Sequence, residues 1–217
     1  MSVEQSSPQV NVRRPYNSGR RLEHARQNQV ALLDAALRRF AEQGYTATTI
    51  ESIATDAGVS EATIYKTYGG KPGLVRALCL RALGGQGPIP AEQRSDALRT
   101  SEADPRKVIE GWGRLTAEVA PRVAPILLLL RDAADGDPAA AQLRKELDRN
   151  RLARMTDNAR YLVEGGHVRP GVRLAYASEV LWTYSSPELF ELLVRGRHWS
   201  LRKYGRFIAE AIANALL

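Results

Sequence analysis

Residues 60–71 carry side chains suited to touching a polyanion. Thr63 and Tyr65 offer hydroxyls, Lys66 and Lys71 offer ammonium groups, and Ala62 with the Thr63 methyl offers small apolar surface. Such groups hydrogen-bond phosphate oxygens and base edges and touch the thymine methyl. Their spacing organises them. A helix over 61–68, capped by Ser60, turns Ile64 inward and leaves Glu61, Ala62, Thr63, Tyr65, Lys66 and Tyr68 on the outer face. Glu61 admits two roles: accepting from a cytosine amino group, or complementing the positive helix start. Lys71 stands just before Pro72, a residue that suits a first helical turn, and an ammonium at such an electropositive end is a ready phosphate contact.

Other chemistry finds little support. His24, His167 and His198 are far apart, and none lies in an arrangement with Asp, Glu, Ser or Cys that suggests catalysis. The glycines at 84, 85 and 87 follow a helix rather than a strand, so they do not form a phosphate loop, and no Cys/His spacing fits zinc. We therefore expect no enzyme activity, no cofactor and no metal. Cys79 is the single cysteine, which rules out an internal disulfide and fits a reducing cytoplasm. The longest apolar run, 126–130, is far short of the ~18 residues of a membrane span, so no membrane partner is expected. The net charge of +7 and pI near 9.8 favour polyanionic partners only weakly.

The elements that position the outer face of 61–68 follow in order. Residues 1–22 are polar, without apolar periodicity, and are expected to be disordered. Arg13, Arg14, Arg20 and Arg21 make this segment either a solvated tail or a basic arm lying along DNA. A first helix over 23–43 places Val30, Leu33, Leu37 and Phe40 on one face and ends at Gly44. Thr48, Thr49, Ile50 and Glu51 read as a capping box, with the Thr48 hydroxyl accepting from the Glu51 N–H. Ile50, Ile53, Ala54 and Ala57 face inward. Gly58 turns the chain, Val59 plugs the gap, and Ser60 starts the next helix. Thr48, Thr49 and Ser60 join the outer-face residues and Lys71 as candidate DNA contacts. A fourth helix through Leu74, Leu78 and Ala82 stops at Gly84.

Together, Phe40, Gly44, Thr48-Thr49-Ile50, Ile53-Ala54, Ala57-Gly58-Val59-Ser60, Thr63-Ile64-Tyr65, Tyr68, Lys71 and Leu74 resemble the DNA-binding domain of TetR-family transcriptional regulators. The resemblance covers residues 30–83. Gly70 departs from it, where relatives often carry Asn, Ser or a charged residue, which puts the link to the fourth helix in question. The resemblance implies a homodimer on a palindromic double-stranded operator, released by a small-molecule effector.

The remainder, 84–217, reads as a helical regulatory and dimerisation domain. Residues 84–103 are expected to be a linker. Asp104-Pro105 starts a helix that Pro121 ends; 126–130 is a short buried helix; Asp137-Pro138 starts a long one to about residue 164. Helices follow over 172–184, after Ser186-Pro187, and after Ser200, where Trp199 and Tyr204 fit a hydrophobic staple. No stretch alternates with period two, so the fold expected is all-α: a three-helix helix-turn-helix domain over 23–83 and a helical bundle over 84–217. By the resemblance, Trp112, Leu115, Leu128, Arg131, Tyr161 and Trp182 are candidate pocket residues, though each reads equally as core. On the same ground Ala175, Tyr176, Glu179 and Trp182, with Phe207, Ile208, Ala211 and Ile212, are candidates for the interface between copies.

Overall fold

A computed structural model describes residues 18–85 and 87–217. Among them the chain is all-helical. Helix α1 spans Ser18–Ala47, with a non-helical kink at Gly44. Then come α2 (Ile50–Ala57), α3 (Glu61–Tyr68), α4 (Lys71–Leu83), α5 (Ala91–Ser101), α6 (Pro105–Ala133) and α7 (Pro138–Glu164). The chain closes with α8 (Leu174–Tyr184), α9 (Pro187–Phe190) running into a π-helical turn at Glu191–Gly196, and α10 (Leu201–Leu216).

Local chemistry fixes most helix starts. Thr49, Ser60, Asp104, Asp137, Ser186 and Ser200 each accept a backbone N–H of the first turn with the side chain. This satisfies donors that have no helical partner. Gly58 ends α2 in the left-handed conformation, which a residue with a Cβ adopts only at a cost.

Two apolar cores result. The first joins Phe40, Ile53, Ile64, Leu74 and Leu78 to Ile126 and Leu130 of α6 and to Ala140 and Leu143 of α7. The second gathers Ile109, Trp112 and Ala124 of α6 with Leu162, Leu181, Tyr204 and Ile208. The expected division at residue 84 is therefore a boundary along the chain only. The core of the helix-turn-helix unit continues into the far ends of α6 and α7.

Other expectations need correction. Helix α1 begins at Ser18, so Arg20 and Arg21 stand in its first turns rather than in an unstructured arm. Arg13 and Arg14 lie outside the described residues. Val30 and Leu37 are exposed, and Leu32, Leu33, Ala36 and Phe40 form the buried stripe of α1 instead. Residues 91–101 form α5 rather than linker. That helix is held by tertiary contacts: Leu98 lies over Gly111, and the Trp112 indole donates to the Ser95 carbonyl at 3.5 Å. Pro121 does not end a helix, and α6 continues through both Pro121 and Pro125. Proline costs a helical hydrogen bond, but α6 packs against α1, α4, α5, α7, α9 and α10, and that packing overrides the local penalty. Trp199 packs edge-on to Phe207 at 5.5 Å, while Tyr204 packs on Phe190 at 5.9 Å.

The tightest backbone approach lies between α3 and α4. A Cβ on Gly73 would overlap the carbonyl of Tyr68, a backbone atom that cannot rotate away. Gly73→Ala is expected to lower unfolding stability by about 2 kcal/mol, in the range of overpacked sites, as a reduced midpoint in urea denaturation.

Candidate functional site

Helix α3 is eight residues long, too short to persist alone. Ile64 holds it: the side chain is wholly buried, worth roughly 1.5–3 kcal/mol of apolar transfer. The opposite face is open. Glu61, Ala62, Thr63, Tyr65, Lys66 and Thr67 are all exposed, and Tyr65 keeps 55% of its surface. Thr49 and Ser60 are also exposed, each spending its hydroxyl on a cap. Ser60 and Thr63 additionally share a hydroxyl hydrogen bond at 2.9 Å.

Three expected contacts are placed differently. Thr48 is 1% exposed; its hydroxyl donates to the carbonyls of Gly44 at 2.7 Å and Arg39 at 3.1 Å. The helix cap belongs to Thr49, and Thr48 instead satisfies carbonyls at the end of α1, out of reach of a phosphate. Tyr68 packs against the first core with its hydroxyl buried, so this side chain faces in, because α3 turns its last residue toward α4. Lys71 bends back over α1: Nζ donates to the carbonyls of Tyr45 at 3.0 Å and Thr46 at 3.3 Å and sits 4.7 Å from the centre of the Tyr45 ring. That ring stacks on Phe40, and burial pushes its hydroxyl up to about 12. Lys71 thus fastens the start of α4 to the end of α1. A further tie runs through Arg39 and Asp56, paired at 2.6 Å between α1 and α2.

A cavity of about 450 Å³ lies on the other side of α4. Trp112 and Leu115, two of the expected residues, line it. The other four do not. Leu128 is buried in packing, Arg131 pairs with Glu191 at 2.6 Å and with Asp132 at 2.9 Å, and the Tyr161 ring lies tilted against His167 at 5.4 Å. The Trp182 ring lies under the Arg151 guanidinium. What the sequence reading missed is the wall from α4 (Arg76, Cys79, Leu80, Leu83) and the polar face of α7 (Asn150, Arg151, Arg154, Asn158). A signal existed: Asn150, Arg154 and Asn158 continue at helical spacing the stripe begun by Leu143 and Leu147, placing polar groups where core was due. Arg76 of α4 grips Glu146 of α7 in a two-pronged pair at 2.7 and 2.6 Å, and both residues line the cavity.

The face proposed for contact between copies divides likewise. Ala175, Tyr176 and Glu179 of α8 are exposed, and Trp182, Phe207 and Ala211 are half-buried. Ile208 and Ile212 are 1% and 3% exposed and belong to this chain's own second core, because they sit on the side of α10 that faces α6.

With this geometry in place, comparison with known proteins bears on the helix-turn-helix segment first. Residues 32–78 match the family of bacterial regulatory proteins called tetR. Residues 32–78 thus form a DNA-binding domain of the TetR family. An uncharacterized HTH-type transcriptional regulator, YvkB of Bacillus subtilis, is 42% identical over 65 residues, which is 30% of this chain and 34% of that one. The matched stretch thus spans about a third of this relative. Similar solved structures include NalD of Pseudomonas aeruginosa, secondary repressor of the MexAB-OprM multidrug efflux pump. It is 20% identical at TM-score 0.70, with 88% of this chain and 98% of that one covered. FadR of Bacillus subtilis, solved with stearoyl-CoA, is 18% identical at TM-score 0.68, covering 87% and 100%. These likenesses show a shared fold over most of the chain, the C-terminal helices included.

The Arg76–Glu146 tie carries a pH signature. The hydrogen bonds from Arg76 hold the Glu146 carboxyl below its ordinary range. Its stabilisation is present above the ordinary glutamate value and lost as pH falls through the lowered one. Glu146→Gln is therefore expected to shallow the fall in melting temperature between about pH 5 and pH 3, measured by circular dichroism against the parent.

Proposed function

We propose that the chain is a cytoplasmic transcriptional repressor that binds a palindromic DNA operator as a homodimer and is released by a small molecule. The observation that carries this reading is the face of α3. An eight-residue helix, seated by one buried isoleucine, exposes Thr63, Tyr65 and Lys66 together. This is the arrangement of a recognition helix entering the major groove. Lys66 and Tyr65 reach phosphate and base edges, and Ala62 with the Thr63 methyl meets thymine. Glu61 and Thr49 sit at helix starts beside the backbone, and Lys71 acts chiefly by holding α4 in place.

One helix reads few base pairs, and a two-fold dimer doubles the site, with half-sites about one DNA turn apart. The exposed α8 face at Ala175, Tyr176 and Glu179, with half-buried Phe207 and Ala211 of α10, supports a four-helix contact between copies. The cavity supports a ligand switch because α4 forms part of its wall. A ligand that fits the released arrangement ~100-fold better than the DNA-bound one supplies ~2.7 kcal/mol of coupling.

Random duplexes selected on the full-length protein are expected to yield a palindrome. On that duplex, Tyr65→Ala and Lys66→Ala should each weaken binding by about 1–3 kcal/mol if they read a base. A lost phosphate contact should flatten the salt dependence by about one unit of slope. No enrichment, or unchanged affinity in the double variant, sinks the DNA-reading assignment. In sedimentation, Tyr176→Asp with Ala211→Glu is expected to convert a dimer to a monomer; a monomeric parent sinks the dimer.

A further inference from the structure

The two long walls of the cavity differ in chemistry. From α6 come Trp112, Leu115, Val119, Val123 and Leu127, an apolar stripe at spacings of three and four. From α7 come Glu146, Asn150, Arg151, Arg154 and Asn158, a largely polar stripe that also carries Leu147 and Met155. At 1.5 Å per residue, the α7 stripe is roughly 18 Å long. The space between is elongated, with one greasy side and one hydrogen-bonding side.

The three arginines of the lining are held to different degrees. Arg76, Arg151 and Arg154 face two lining carboxylates, Glu92 and Glu146. Arg76 is matched by Glu146, and Arg154 by Asp96 at 2.6 Å with Glu92 at 3.6 Å. Arg151 has the longest closest pair of the three, Asp148 at 3.1 Å, and the most buried side chain at 15% exposure, with its Nε left without a partner among the described residues. The guanidinium otherwise rests on the Trp182 carbonyl, the Ser185 hydroxyl and the Trp182 ring. Burial lowers the affinity of Arg151 for its proton, against the opposing pull of Asp148. Further along the same helix, Asn158 is 4% exposed, and its Oδ1 has no donor within the described residues. A buried acceptor left unpaired costs free energy that a ligand donor would recover. Asn158 follows Arg151 by seven residues, about 10 Å along the axis.

We propose that this cavity takes an elongated apolar carboxylic acid, its carboxylate at Arg151, its hydrocarbon body along the α6 stripe, and a hydroxyl or N–H about 10 Å away at Asn158. The inference rests on the ligand-switched reading for its biological use, but the binding claim stands on the cavity alone. The acid head accepts charge-assisted hydrogen bonds from Arg151, including the Nε that the described residues leave unpaired. The body lies along side chains whose one polar group, the Trp112 indole N–H, is already given to the Ser95 carbonyl. The distal donor distinguishes a substituted acid from a plain one.

Calorimetric titration of the full-length protein with four decyl probes below their micellar concentrations tests this. Decanoate should bind, ω-hydroxydecanoate more tightly, 1-decanol weakly, and decyltrimethylammonium not at all. Arg151→Gln should weaken decanoate by about tenfold or more, one lost charge-assisted contact, while leaving decanol unchanged, which also shows that the cavity is intact. Arg151→Lys should restore part of the loss. Asn158→Leu should level ω-hydroxydecanoate with decanoate. Binding of decanol or the cation as tight as that of the acids, unchanged decanoate affinity in Arg151→Gln, or no binding of any probe each overturns the proposal. A parallel measurement of DNA affinity separates the two readings. Acids that bind without altering DNA affinity refute the ligand switch and leave the site, whereas absent acid binding refutes the site and leaves DNA recognition.

Discussion

The long helices α6 and α7 each contribute to two apolar cores, and the rest of the molecule depends on this sharing. Ile126, Leu130, Ala140 and Leu143 pack with Phe40, Ile64 and Leu78, while the other ends of the same helices build the second core. The helix-turn-helix unit is small, and small units bury too little surface to be robust by themselves. Borrowing two helix ends enlarges its core. The loan also removes independence: the unit cannot reorient without disturbing packed side chains, which move between discrete arrangements rather than continuously.

The outer face of α3 is clean because everything else is tied down behind it. Ser60 caps the start, Ile64 anchors the middle, and Gly73 lets α4 approach the end. Lys71 and Thr48 spend their polar groups on carbonyls around the α1 kink. The ion pairs Arg39–Asp56, Arg81–Asp34 and Arg76–Glu146 lie at the joints between helices. Exposed pairs of this kind contribute little stability each, so their value is in fixing orientation.

The parts legible in the sequence are those decided by near neighbours. The bounds of α3 follow from Ser60 and the residues after Tyr68, and the start of α7 from Asp137-Pro138, because caps act within one turn. Inward and outward assignment failed where a helix is short or packed on two sides. Thr48 and Tyr68 read as outer residues yet face in, since spacing gives a face but not its direction. On α10, Ile208 and Ile212 look inward while Ala211 lies between the inner and outer sides. Helix α5 was invisible because its hold, Leu98 over Gly111 and Ser95 on Trp112, comes from α6 rather than from its own pattern. The cavity was half legible: Trp112 and Leu115 stood out as apolar, whereas Arg151 and Asn158 looked like ordinary surface residues of a charged helix.

The two prolines inside α6 occupy a telling place. Ala124 belongs to one core and Ile126 to the other, so Pro125 marks the seam, with Pro121 one turn before it. Each proline deletes one rung of the helical ladder. The softest section of the longest bundle helix is thereby set between two rigid masses, beside the cavity that spans the seam from Trp112 to Leu127. In mechanical terms α6 is a beam with a flexure cut into it. Strain entering at the cavity meets its least resistance in the beam.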